Sequence, residues 1–123
     1  MEKAFAQLRK KAQRGFRGYP IATVAFYGPT NELASKVAAS IVLKDGEASA
    51  VLERWFAGPG TDVRHDPLIG AAVVEFLARH RPRSYAVSGG VIGCPHEEGV
   101  DYPVGTPCPK CPFWAGRDRW REL

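Results

Sequence analysis

The sequence predicts an α+β fold. An antiparallel three-stranded meander, a crossover helix and a fourth strand form its centre, with an amphipathic helix before them and a cysteine-rich lobe after them. Three observations carry this. Residues 20–56 hold three runs suited to strands, with turn residues between them. Residues 66–79 combine a helix-start signal with apolar residues at three- and four-residue spacing. A last strand run, 84–93, leads directly into the first of three cysteines. At 123 residues the chain is expected to form one domain, read as a helix (1–17), a core (18–93) and a C-terminal lobe (94–123).

EKAFAQLRKKAQR (2–14) predicts the first helix, with Phe5, Leu8, Ala12 and Phe16 near one face and Gly15 as its stop. Residues 1–17 carry six basic groups against Glu2, a net +5, whereas the remaining chain has a net charge of −1. Lys10, Lys11 and Arg14 are therefore candidate contacts to nucleic acid or an anionic partner. The alternative use is a docked terminal helix whose charged face is simply solvated.

PIATVAFY (20–27) is the first strand and GPTNE the turn after it. Residues 34–43 alternate Val37, Ala39, Ile41 and Leu43. KDGE (44–47) carries the Asp-Gly hairpin signal, and 49–56 returns as the third strand. AGPGTDVRHDP is a loop that ends in Asp66 as N-cap and Pro67 at the first helical position. Leu68, Ile69, Ala72, Val73, Phe76 and Leu77 give the crossover helix its apolar face, and Glu75 and Arg79 are placed to pair on the outside. Gly89 and Gly90 mark a bulge in the fourth strand. A right-handed crossover would lay that strand parallel to a neighbour.

This order of elements over 20–93 is similar to the core of ribonuclease H-like domains, by topology only. Such nucleases hold metal with a carboxylate on the first strand. PIATVAFY has none, so the resemblance implies an arrangement of strands and no nuclease activity.

All three cysteines fall in residues 94–111. An odd, clustered set of thiols points to a metal rather than a disulfide framework. With His96 they read Cys94-x-His96-x11-Cys108-x2-Cys111, a ligand set suited to tetrahedral Zn²⁺. Alternation along the fourth strand puts positions 94 and 96 on one side, and GVDYPVGT can turn the second pair back onto the first. Pro112 removes one N–H that could have supported a sulfur.

The same stretch resembles the zinc-deaminase signature, H-x-E followed by P-C-x-x-C. That resemblance implies His96, Cys108 and Cys111 as ligands and Glu98 as proton shuttle. The spacer is too short for the helix and strand that such sites place between the two halves. Cys94 would also fill the position a catalytic zinc keeps for water. A thiol nucleophile with His96 or His65 as base fails once zinc occupies the sulfurs.

After the cluster, Phe113, Trp114 and Trp120 stand among Arg117, Arg119 and Arg121. They can meet nucleic acid or a partner protein, or the aromatics can cover the small lobe. No apolar run approaches a membrane span and no uninterrupted apolar leader follows the basic start, so a cytoplasmic protein is expected. The predicted function is a binding or adaptor module built around a structural zinc. The competing reading is a zinc-dependent hydrolase or deaminase-like enzyme using Glu97 or Glu98.

Overall fold

The computed structural model describes residues 1–115. Two helices, α1 (Lys3–Ala12) and α2 (Pro67–Arg79), pack on a mixed four-stranded sheet of β1 (Ile21–Tyr27), β2 (Lys36–Val42), β3 (Val51–Phe56) and β4 (Ser84–Val91). The strand order is β3-β2-β1-β4. β1 and β2 pair antiparallel, as do β2 and β3, while β4 lies parallel to β1, the neighbour relation the crossover implied.

One core holds the sheet and helices together. Alternate residues Ala22, Val24 and Phe26 of β1 and Val37, Ala39 and Ile41 of β2 are buried with Phe5 and Leu8 of α1 and Val73, Phe76 and Leu77 of α2. Phe5 meets Phe26 edge-on, and Trp55 meets Phe76 in the same way. The opposite sheet face buries two polar residues of β2. Ser40 shares a hydroxyl hydrogen bond with Thr23, and Lys36 is covered by the loop that follows β4.

The helix signals hold. Asp66 accepts N–H bonds from Leu68 and Ile69 at 2.9 and 3.2 Å, and Pro67 opens α2. Four local expectations need correction. α1 ends at Ala12 in a single turn through Gln13 and Arg14, Gly15 takes a positive φ that stops the helix, and Phe16 beyond it is 67% exposed. The strands flanking KDGE are shorter than expected: β2 stops at Val42 and β3 starts at Val51, so a long connection replaces a tight two-residue turn. Leu43 accordingly lies outside the strand and is exposed. The Glu75–Arg79 ion pair does not form, since the Arg79 guanidinium lies over the Phe76 ring at 5.9 Å.

The expected bulge is present. The β1–β4 register shifts between Val24 and Phe26, opposite the Gly89–Gly90 segment. The chain then continues beside β1, with Ile92 donating to the Phe26 carbonyl and Gly28 donating to the Gly93 carbonyl, both at 2.9 Å. Gly28 tolerates nothing larger, because a Cβ there would fall 1.6 Å from the Leu33 carbonyl oxygen.

Candidate metal centre

β4 and its two-residue extension deliver Cys94 to the end of the sheet where β1 also finishes. Pro95 then turns the chain so that His96 donates its backbone N–H to the Cys94 sulfur at 3.3 Å. Residues 97–106 form a compact loop. Asp101 donates its N–H to the Glu97 carbonyl and accepts the Glu97 N–H, both at 2.7 Å. Gly99 donates to the Tyr102 carbonyl at 2.7 Å. These turns return Cys108 and Cys111 to Cys94, as the turn-rich spacer implied.

The four ligand atoms lie within 4.8 Å of one another, and the three cysteines are buried. His96 presents Nδ1 to the cluster, at 3.3 Å from the Cys94 sulfur, 3.4 Å from Cys108 and 3.5 Å from Cys111. A tetrahedral ion bonded to sulfur at about 2.3 Å and to nitrogen at about 2.0–2.1 Å separates nitrogen from each sulfur by about 3.5 Å. The imidazole is therefore the apex of a tetrahedron whose base is the three sulfurs. The residues fit a metal ion with four protein ligands.

The thiols are not equivalent. Burial pushes the Cys94 thiol up, and burial also raises Cys111, with the neighbouring Cys108 charge adding to it. Burial opposes ionisation of Cys108 as well, but the Lys110 and Cys111 N–H groups and the adjacent thiols outweigh it and hold that thiol below its ordinary value. The Lys110 and His96 amides supply the sulfur support that Pro112 cannot. Trp114 packs against both the cysteine cluster and the main core, and its Nε1–H donates to the Gly28 carbonyl at 2.8 Å. Phe113 stacks edge-on against Trp114.

Neither glutamate joins the cluster. Glu97 pairs with Arg54 at 2.5 Å and with Lys36 at 3.5 Å, and Glu98 accepts the Gly105 N–H at 3.4 Å. Lys36 is the site residue that sequence reading missed. Its ammonium donates to the Pro95 carbonyl at 3.0 Å, between two ligands, and lies over the Tyr27 and Phe56 rings. A lysine at the start of a strand carries no local signal of such burial. Beside the cluster a groove of about 640 Å³ is lined by Lys36, Arg54, Phe56, His96, Val100 and Lys110, among others.

The other candidate contacts are scattered. Lys10 and Arg14 are exposed, and Lys11 lies over the Tyr85 ring at 5.2 Å. Arg17 donates its N–H to the Ser84 hydroxyl at 2.7 Å. Lys11 and Arg17 thus stand where β4 begins, and the cysteine cluster stands beyond its end. Arg117, Arg119, Trp120 and Arg121 lie outside the described residues. Among the described residues, no helix is long and apolar enough to cross a membrane. No protein-family model matches the chain, and no curated protein or solved structure matches it.

Proposed function

We propose that this chain is a small binding or adaptor module whose C-terminal lobe is built on one structural Zn²⁺. The ion is held by Cys94, His96 through Nδ1, Cys108 and Cys111. The carrying observation is the near-equal approach of one imidazole nitrogen to three buried sulfurs. Soft thiolates with imidazole in a tetrahedron favour zinc among common ions. Four protein ligands leave no position for the water that a hydrolase or deaminase activates. Glu97 and Glu98, the groups such chemistry would use, are engaged by other partners. Three unpaired thiols gathered on one metal also suit a reducing compartment, the cytoplasm.

Metal analysis should find about one zinc per chain. X-ray absorption should give three sulfurs and one nitrogen, and Cys108→Ser should lose the metal and destabilise the lobe. A shell with a water oxygen in place of one sulfur would return the enzyme reading to first place.

The module's contact to nucleic acid is assigned to its N-terminal segment. Lys10, Arg14 and Arg17 are exposed, and none is in an ion pair among the described residues. Phe16, two-thirds exposed beside them, offers a ring for a base to stack on. Titration with single-stranded oligonucleotides should show affinity that falls steeply with salt and is lost when Lys10, Arg14 and Arg17 are all changed to Ala. No binding at low salt would remove the nucleic-acid assignment and leave the zinc assignment standing.

A further inference from the structure

The two edges of the sheet are treated differently by the rest of the chain. On the β4 edge, Arg9 of α1 donates to the Gly89 carbonyl at 2.7 Å and the register is broken by a bulge. Each of these is a device that stops a strand from adding to an edge. β3, on the other edge, has none of them. It is unbroken in register along β2 from Val51 to Phe56 and contains no proline and no lysine.

The register also says which groups face outward. Ala57 donates to the Ser35 carbonyl at 3.0 Å, one step beyond the Lys36–Phe56 partners. Hydrogen-bonded pairs alternate along an antiparallel ladder, so Val51, Glu53 and Trp55 spend their main-chain groups on β2. The N–H and C=O groups of Leu52, Arg54 and Phe56 point away from the sheet, and among the described residues no hydrogen bond reaches them. The side chains of these same residues lie on the sheet face away from the helices, where Leu52 is 43% and Phe56 64% exposed.

We infer that the β3 edge is a self-association surface, on which β3 of a second copy pairs antiparallel about a two-fold axis at Arg54. That register keeps the outward-pointing residues as hydrogen-bonded pairs and sets the two exposed apolar side chains of the strand opposite each other. Leu52 faces Phe56 of the second copy, Arg54 faces its own counterpart, and Phe56 faces Leu52. Each pair exchanges two main-chain bonds. The two largest exposed apolar side chains of the strand then cover each other twice. The one unfavourable pairing, arginine against arginine, is already offset within each copy, because Glu97 holds Arg54. Moving the axis by one residue to Glu53 would instead set two glutamates face to face with no basic partner recorded for either, and would separate Leu52 from Phe56. Leu52 and Phe56 of the two copies face each other only with the axis at Arg54, and this self-complementarity argues for a second copy over an unrelated peptide.

Sedimentation of the zinc-loaded chain over a range of concentrations should show a reversible dimer. Amide exchange at Leu52, Arg54 and Phe56 should slow as the dimer forms. Arg54→Pro removes an outward N–H and no bond to β2, so it should run as a monomer with unchanged zinc content. Arg54→Ala keeps that N–H while removing the Glu97 contact, and should remain dimeric. A wild-type chain that is monomeric throughout the range overturns the inference. So does a dimer that survives Arg54→Pro, since it must use another surface.

Discussion

Asp62 shows how much one carboxylate does outside the metal centre. It accepts the Ala34 N–H at 3.0 Å and the Arg64 N–H at 2.9 Å, and binds the Arg64 guanidinium at 2.7 Å. Burial opposes its ionisation, but these donors win and hold its pKa down at about 2. A carboxyl lowered in the folded state adds stability that is fully present above its unfolded pKa near 3.8 and is lost as pH falls toward about 2. Asp62→Ala should therefore cost about 2 kcal/mol at neutral pH, with the difference from wild type shrinking below about pH 4 in urea titrations. A pH-independent difference would mean that the carboxylate's charge is not what matters. Lys36 makes the corresponding case for a buried cation. Lys36→Met keeps the length of the side chain but leaves the Pro95 carbonyl without its donor and removes the more distant of the two cations on Glu97. We expect a loss of about 1–2 kcal/mol and faster transfer of zinc to a chromogenic chelator. Unchanged transfer would confine Lys36 to the sheet.

Among the elements, the ends decide more than the middles. α2 is fixed by Asp66 and Pro67, both of which act within one turn and were legible in the sequence. The β1–β4 pair is fixed by a contact that no local pattern announces. Gly28 passes against the Leu33 carbonyl, donates to Gly93 and accepts from Trp114, tying the end of β1 to both sides of the cysteine lobe. Gly28→Ala should displace the 28–34 turn and cost about 3 kcal/mol or more, a magnitude typical of a forced backbone shift in a packed region. A thermal midpoint within a degree of wild type would show that the turn yields freely. The connection between β2 and β3 marks the limit of short-range signals. Asp-Gly at 45–46 has the chemistry of a two-residue turn, and Gly46 does take a positive φ of 76°. Pairing nevertheless begins only at Ile41 with Val51.

Among the described residues of the whole molecule there are two clusters of unequal self-sufficiency. The main core draws on both helices and all four strands, with Val51 and Trp55 of β3 packed against its buried residues. The second consists of three cysteines with Tyr102 and Trp114 packed against them, little apolar surface for a lobe to fold on, and the proposed ion would supply the rest. Removing metal with a chelator should therefore abolish amide protection through residues 94–115 while β1 and β2 stay protected. Collapse of both together would show that the lobe also holds up the sheet. The sequence by itself determined the local features: the strand and helix types, the cap of α2, the bulge glycines and the four residues of the cysteine–histidine cluster. In each case the signal is carried by residues a few positions apart, or by chemistry so distinctive that spacing suffices. Only the tertiary structure decided that Nδ1 of His96 closes the tetrahedron, that Lys36 is buried against the ligand loop, and that the basic helix end and the cysteine lobe stand at opposite ends of β4. Those outcomes depend on contacts between residues tens of positions apart. An ordinary lysine or histidine looks the same in sequence whether or not the fold brings such a neighbour to it.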